Sequence, residues 1–179
     1  MKKSIRLWSI FVILMGFITT FSSCHTNDNS DEAENVNLAV GDTLPTFTAT
    51  FTDGSTIQTQ DLKGRCSVIV FFSVRCPDCQ RELPEIQRLW DAIDHIETPI
   101  LLISRAEGCE IIEPYWKKTG LTMPFSAQPN RSLYALFAAS RIPRIYICDA
   151  TNTIRYIHTD EAMPTAETLK DEIESIKTQ

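Results

Sequence analysis

Apolar residues along this chain fall into two rhythms. Val68-Ile69-Val70-Phe71-Phe72 and residues 100–103 are uninterrupted apolar runs, short enough for strands covered on both faces. Between them, Leu83, Ile86, Leu89, Trp90 and Ile93 recur at helical spacing, which predicts a helix over residues 80–94, bent at Pro84. Residues 110–119 read as a second helix ended by Gly120, residues 132–139 as a short third and residues 165–177 as the last. Residues 145–148 and 154–158 form a hairpin pattern. Upstream, Phe47, Ala49 and Phe51 alternate with threonines, and Asp53-Gly54 turns the chain into residues 56–59, a further hairpin. Asp61-Leu62-Lys63-Gly64 is a short helical turn. This order predicts an α/β three-layer sandwich, with a central mixed sheet flanked by helices and an extra N-terminal β-hairpin.

The N-terminal region has a different character. Lys2, Lys3 and Arg6 precede a mostly apolar stretch, residues 7–20, too short for a membrane span and suited to a signal-peptide core. Phe21-Ser22-Ser23-Cys24 resembles a bacterial lipobox, with Phe21 where Leu is usual. Residues 1–23 then read as a lipoprotein signal peptide, and Cys24 as a lipidated first residue that anchors the chain to a membrane surface. The alternative is an ordinary secretory signal with Cys24 a bystander. Residues 24–37 are polar and acidic, too poor in apolar surface to fold alone, and read as a flexible tether. Residues 38–179 form the folded domain, long enough for a real core.

Charge narrows the partners. The chain carries a formal −6; without Lys2, Lys3 and Arg6, 14 basic residues face 23 acidic ones, about −9. An acidic chain without a basic stripe excludes nucleic acid as the expected partner.

Chemistry concentrates in Cys76-Pro77-Asp78-Cys79, between an apolar strand and a helix. Unpaired N–H groups and the positive end of the helix dipole favour a thiolate at Cys76. A thiolate attacks disulfides, and Cys79 is near enough to resolve the mixed disulfide. Pro77 fits an early helical position, where a missing N–H costs nothing. Asp78 would oppose the thiolate if it pointed inward, and Arg75 would favour it. Half of a zinc site and two inert buried thiols are the other readings. However, Cys24, Cys66, Cys109 and Cys148 are scattered, and His25, His95 and His158 form no ligand pair, so no metal or cofactor is expected. Export implies an oxidising compartment. Cys148 reads as a small buried hydrophobe. Cys66 and Cys109 read as buried thiols, with a second redox handle as the alternative. Trp90 and Trp116 read as core, and His95 as a helix-end residue near the negative end of the dipole.

Element order, the C-x-x-C at the first helix and Ile142-Pro143 before a strand together resemble the thioredoxin fold. Gly41-Asp42-x-x-Pro45-x-Phe47 with Asp53-Gly54 is similar to its TlpA/ResA branch of membrane-tethered thiol–disulfide oxidoreductases, over residues 40–176. The resemblance implies a monomeric, extracytoplasmic enzyme on the periplasmic face, fed electrons by a membrane donor and reducing disulfides of exported proteins or apocytochromes. It makes Cys76 the nucleophile and Cys79 the resolving thiol. Pro143 becomes a cis-proline, Ile142 offers its backbone to a substrate chain and Arg144 adds a charge at the rim. Glu82 matches a glutamate that manages thiol protons, its raised pKa set by burial; the alternative is a solvated side chain pairing with Arg81 or Arg88. Arg75 stands where the family usually has Trp, and Pro77 follows the first cysteine rather than preceding the second, so no redox potential carries over. Two other readings stay open. A peroxidase of the peroxiredoxin kind would use P-x-x-x-[ST]-x-x-C; Ser73 is present but Ile69 replaces the proline. The other is a non-catalytic thioredoxin-like binding module.

Overall fold

The chain enters its fold through a small antiparallel hairpin, β1 (Thr48–Thr50) and β2 (Thr56–Gln58), with Thr48 opposite Gln58. This is a computed structural model, which describes residues 36–178. The expectations for residues 1–35, the signal peptide, Cys24 and nearly all of the tether, lie outside the described residues. Asn37 bridges to Ala138, and the Leu38 N–H donates to the Phe137 carbonyl at 2.9 Å. A 3-10 turn, Thr59–Leu62, follows the hairpin and buries Leu62.

The central sheet has the order β5-β4-β3-β6-β7. Its middle strand, β3 (Ser67–Phe72), is parallel to β4 (Ile100–Ser104) and antiparallel to β6 (Arg144–Cys148). The two edges are β5 (Phe125–Ser126), parallel to β4, and β7 (Ile154–Thr159), antiparallel to β6. The mixed sheet and the extra hairpin are as the patterning predicts. β5 was not expected, since two residues carry no period.

Every side chain of β3 is buried, and alternate residues go to opposite faces. Phe71 packs edge-on against Phe137 and Tyr134, with ring centroids 4.8 and 5.1 Å away. Phe72, one residue on, meets Trp116 at 5.2 Å. Trp116 belongs to α2 (Cys109–Thr119), and its Nε1–H donates to the Met123 carbonyl at 2.9 Å, so this buried indole has no unpaired polar atom.

Among the described residues, four helices flank the sheet. α1 (Pro77–Ala92) starts three residues before the expected residue 80, because its first turn is set by Cys76 as N-cap and Pro77 at N1. It continues through exposed Pro84 and contacts α4 (Ala166–Lys177), whose N-cap Thr165 accepts from the Thr168 N–H. α3 (Ser132–Ala135) stops short of the expected residue 139, because Ala138 is taken up in the bridge to Asn37. Tertiary pairing overrides propensity there.

Trp90 is half-buried and packs against the core. His95 lies just past the C-cap of α1, at the helix end, with its ring stacked on Trp90, centroids 3.6 Å apart.

Gly120 ends α2 at φ 74°, as its position in the sequence predicts. Nothing lies within 4 Å of a Cβ built there, so a substitution meets only the conformational penalty. Gly120→Ala is expected to lower stability by about 1 kcal/mol in denaturant unfolding, the cost of a left-handed L-residue. An unchanged midpoint would mean that this helix end relaxes.

Candidate active site

The four residues after β3 lead the chain off the sheet and into α1. Cys76 has extended φ and ψ of −90° and 120°, and its carbonyl accepts the Gln80 N–H at 3.0 Å, which opens the helix. Its sulfur therefore sits at the N-terminal tip, half-buried. Cys79 lies on the inward face of the first turn and is fully buried.

The two sulfurs differ in their surroundings. Burial pushes the Cys79 thiol well above its ordinary range; a hydrogen bond to Cys76 raises it further, while the Ser73 backbone N–H and the Arg105 charge pull the other way. Cys79 thus holds its proton. Cys76 also lies 3.5 Å from the carbonyl of Ile142, in the segment that leads into β6. The Ile142–Pro143 peptide bond is cis, as the resemblance implies. Both cysteines are free thiols.

Charges beside the dithiol point away from it. Asp78 pairs with Arg81 one turn on, so its carboxylate is drawn along the helix surface, and Arg75 is exposed. Neither decides the protonation of the pair by direct contact.

Glu82 is the exception. It is only 2% exposed, and its Oε1 is buried without a hydrogen-bond partner. Burial, with a smaller push from Glu85, raises its carboxyl to about 7. Arg81 is paired with Asp78 and Arg88 with Glu85, so the reading of Glu82 as a solvated ion-pair partner is overturned. Three residues beyond Cys79, Glu82 shares the inward face of α1 with it.

Other expected residues fall away from this centre. Cys148 is fully buried, as expected, and burial pushes its thiol up. Cys66 is buried too, its thiol raised to about 11, chiefly by burial. Cys109 is exposed on the first turn of α2, contrary to the buried reading; the buried face of that helix is carried by Ile112 and Trp116, further along. Arg144 is not a rim charge. It is 8% exposed, its Nη1 lies 3.3 Å from the Tyr146 hydroxyl, and its Nε is buried without a partner.

Two supports of the site left no mark in the sequence. Tyr134 places its hydroxyl 2.7 and 2.5 Å from the carbonyls of Ser140 and Arg141, holding the segment just before Ile142. Glu107 is a buried carboxylate bonded to the loop between β3 and Cys76. Both lie where no periodic pattern points to them.

A pocket of about 410 Å³ lies at the opposite end of β3, lined by Gly64, Cys66, Asp149, Thr151, Arg155 and Lys177. It shares no residue with the dithiol. What faces Cys76 is the backbone carbonyl of Ile142, just ahead of β6.

Comparison with known proteins agrees with this architecture. The chain is 25% identical over 177 residues to the thiol–disulfide oxidoreductase ResA of Geobacillus thermodenitrificans, covering 99% of each chain. It is 26% identical over 169 residues to the sporulation thiol–disulfide oxidoreductase A of Bacillus subtilis, covering 93% of this chain and 95% of that one. Among solved structures, a candidate protein disulfide isomerase from Bacteroides thetaiotaomicron superposes with a TM-score of 0.71 at 24% identity, over 79% of this chain and 92% of that one. StoA from Bacillus subtilis gives a TM-score of 0.62 at 22% identity, over 72% and 96%. The fold is that of thioredoxin, and the chain is a thiol–disulfide oxidoreductase. With the AhpC/TSA family profile matching residues 40–157, most of the sheet and the whole C-x-x-C helix, the chain belongs to the AhpC/TSA family.

Proposed function

We propose that this thiol–disulfide oxidoreductase reduces disulfides of exported proteins or apocytochromes through Cys76 and Cys79. The observation that carries the reading is the asymmetry of the two thiols: one half-exposed at a helix tip, the other buried on the inward face of the same turn and held protonated by burial. In the first step the Cys76 thiolate attacks a substrate disulfide. A bond forms between Cys76 and one substrate sulfur, and the other leaves as a thiolate and takes up a proton. Cys79 then loses its proton and attacks the Cys76 sulfur, closing the Cys76–Cys79 bond and releasing the second substrate thiol. The substrate has gained two electrons and two protons.

Glu82 receives the Cys79 proton in this scheme. A carboxyl held near neutrality is ionised often enough to accept a proton and protonated often enough to return it. Ile142 and Pro143 present backbone to the substrate chain; the Ile142 carbonyl beside Cys76 supports that placement. A membrane thiol donor restores the dithiol, and the protein works as a monomer without a cofactor. Its lipid anchor is Cys24 at the extracytoplasmic face, with residues 24–37 as tether and residues 38–179 as the working domain. No helix among the described residues is long and apolar enough to cross a membrane.

The test is reduction of a protein disulfide by the purified, prereduced protein, set beside its consumption of hydrogen peroxide. Disulfide reduction is expected to be the faster reaction, and to survive Cys66→Ser and Cys109→Ser. Peroxide consumption that outruns it would favour the peroxidase. Inertness toward both would favour a binding module. The anchor is tested separately by the intact mass of membrane-extracted protein, where an unmodified Cys24 would exclude it.

A further inference from the structure

Three arginines stand at the end of the sheet that carries the dithiol, each placed there by the backbone. Arg75 immediately precedes Cys76 and is exposed. The Arg105 N–H donates to the Phe72 carbonyl at 2.8 Å, which holds the start of the loop between β4 and α2 against the chain leaving β3. Arg144 follows Pro143, two residues after the Ile142 carbonyl that lies 3.5 Å from the Cys76 sulfur. Among the described residues, none of the three is paired with a carboxylate. Arg144 is the clearest case. It is 8% exposed, its Nε has no partner, and its Nη1 reaches a neutral hydroxyl, that of Tyr146, at 3.3 Å. Burying a cation without a counter-charge is costly, and the cost falls when an anion comes near.

The carboxylates at this end are already engaged. Asp78 pairs with Arg81, and Arg141 takes Asp160 and Glu161. Buried Glu107 accepts the Ser73 hydroxyl on one oxygen and the Val74 N–H on the other, and Glu82 is buried as well. The Glu110 carboxylate is folded back over Gly108. The Tyr134 hydroxyl, held at the Ser140 and Arg141 carbonyls just before Ile142, agrees with an excess of positive charge. Burial raises it to about 12, while the charges of Arg144, Arg105 and Arg131 pull the other way.

We propose that the groove beside Cys76 selects substrate chains with acidic residues next to the disulfide, received by the unpaired charges of Arg75, Arg105 and Arg144. This deepens the dithiol reading given above and rests on it. Net charge alone points the other way, since a chain at −6 would favour basic substrates. Arg75 is exposed and Arg105 half-buried, so an incoming side chain can meet both. Arg144 acts from within through its field, because a buried charge is screened less than one in water.

Three peptides of equal length test this, each with one cysteine held as its 2-thiopyridyl disulfide and flanked by Asp, Asn or Lys. The protein is prereduced and carries Cys109→Ser throughout, because Cys109 is exposed. The Cys76 thiolate bonds to the peptide sulfur and expels the thiopyridine sulfur, which takes up a proton as 2-thiopyridone and is read by its absorbance. Each rate is divided by that with dithiothreitol, a neutral thiol, which removes the peptide's own reactivity. At low ionic strength the Asp peptide is expected to react about tenfold faster than the Asn peptide, with the Lys peptide slowest. The Asp-to-Asn ratio should fall toward one at about 1 M salt, where the screening length is about 3 Å. Arg75→Gln and Arg105→Gln are each expected to lower that ratio about two- to threefold. A ratio cancels any effect of these substitutions on the thiolate, which all three peptides share. Equal rates for the Asp and Asn peptides, a Lys peptide that reacts fastest, or a ratio that survives both substitutions and salt would each overturn the proposal while leaving the dithiol reading intact. No release above the Cys76→Ser background with any peptide would remove both.

Discussion

Cys76→Ser is expected to reduce disulfide exchange to the uncatalysed background. A serine hydroxyl is far too weakly acidic to supply an anionic nucleophile near neutrality, so the attacking atom is lost outright. Cys79 cannot take over. Its sulfur is fully buried, and burial pushes its thiol well above the ordinary range, so it offers neither access nor a thiolate. Cys79→Ser should behave differently. The Cys76 sulfur still attacks, but nothing releases the product, and the protein is expected to accumulate as a stable mixed disulfide with its substrate. Gel shift under non-reducing conditions, with mass spectrometry of the adduct, reads both outcomes. Adducts forming on Cys76→Ser through Cys79 would show that the order of the two thiols has been assigned backwards.

Glu82→Gln is expected to stabilise the reduced protein at pH 8 and to leave it unchanged near pH 4. Burial raises the folded carboxyl from its ordinary 4.5 to about 7, so between those values the folded protein keeps a proton that the unfolded chain has released. Stability therefore falls as pH rises through that window, and levels off above it. The full loss is on the order of 3 kcal/mol at about 1.4 kcal/mol per pH unit. Gln keeps the shape of the protonated acid but cannot ionise, which removes the loss. Urea unfolding at the two pH values measures it. Parallel pH dependences in the two proteins would show that Glu82 is hydrated or partnered when ionised. The same substitution should erase an inflection near pH 7 from the resolving step, if that carboxyl is the acceptor of the Cys79 proton.

These three positions also mark how far the chain could be read from its sequence. Cys76 and Cys79 were legible because three local signals coincide: an apolar strand, a C-x-x-C and a proline at the first helical position. Glu82 was legible only by its spacing from Cys79 and by resemblance; whether it faced solvent or the core depended on how Arg81 and Arg88 were engaged. Arg144 was misplaced for a related reason. Its position after Pro143 indicates a rim, but pairing with Phe71 in the sheet draws its side chain into the buried layer beside Tyr146. Cys109 erred in the other direction, since a cysteine at a helix start has no period to show which way it faces.

Local physics in the chain itself determined the strands, the helices and the tip on which the dithiol rides. Apolar period and helix-end chemistry act over a few residues, and so they survive in one dimension. Tertiary structure alone decided which groups lie around the C-x-x-C: the Ile142 carbonyl beside Cys76, the buried Glu82 carboxyl and the grip of Glu107 on Ser73. Those contacts join residues as many as 66 positions apart. Burial and hydrogen bonding depend on what the folded chain brings near, and neighbours in sequence carry no record of it.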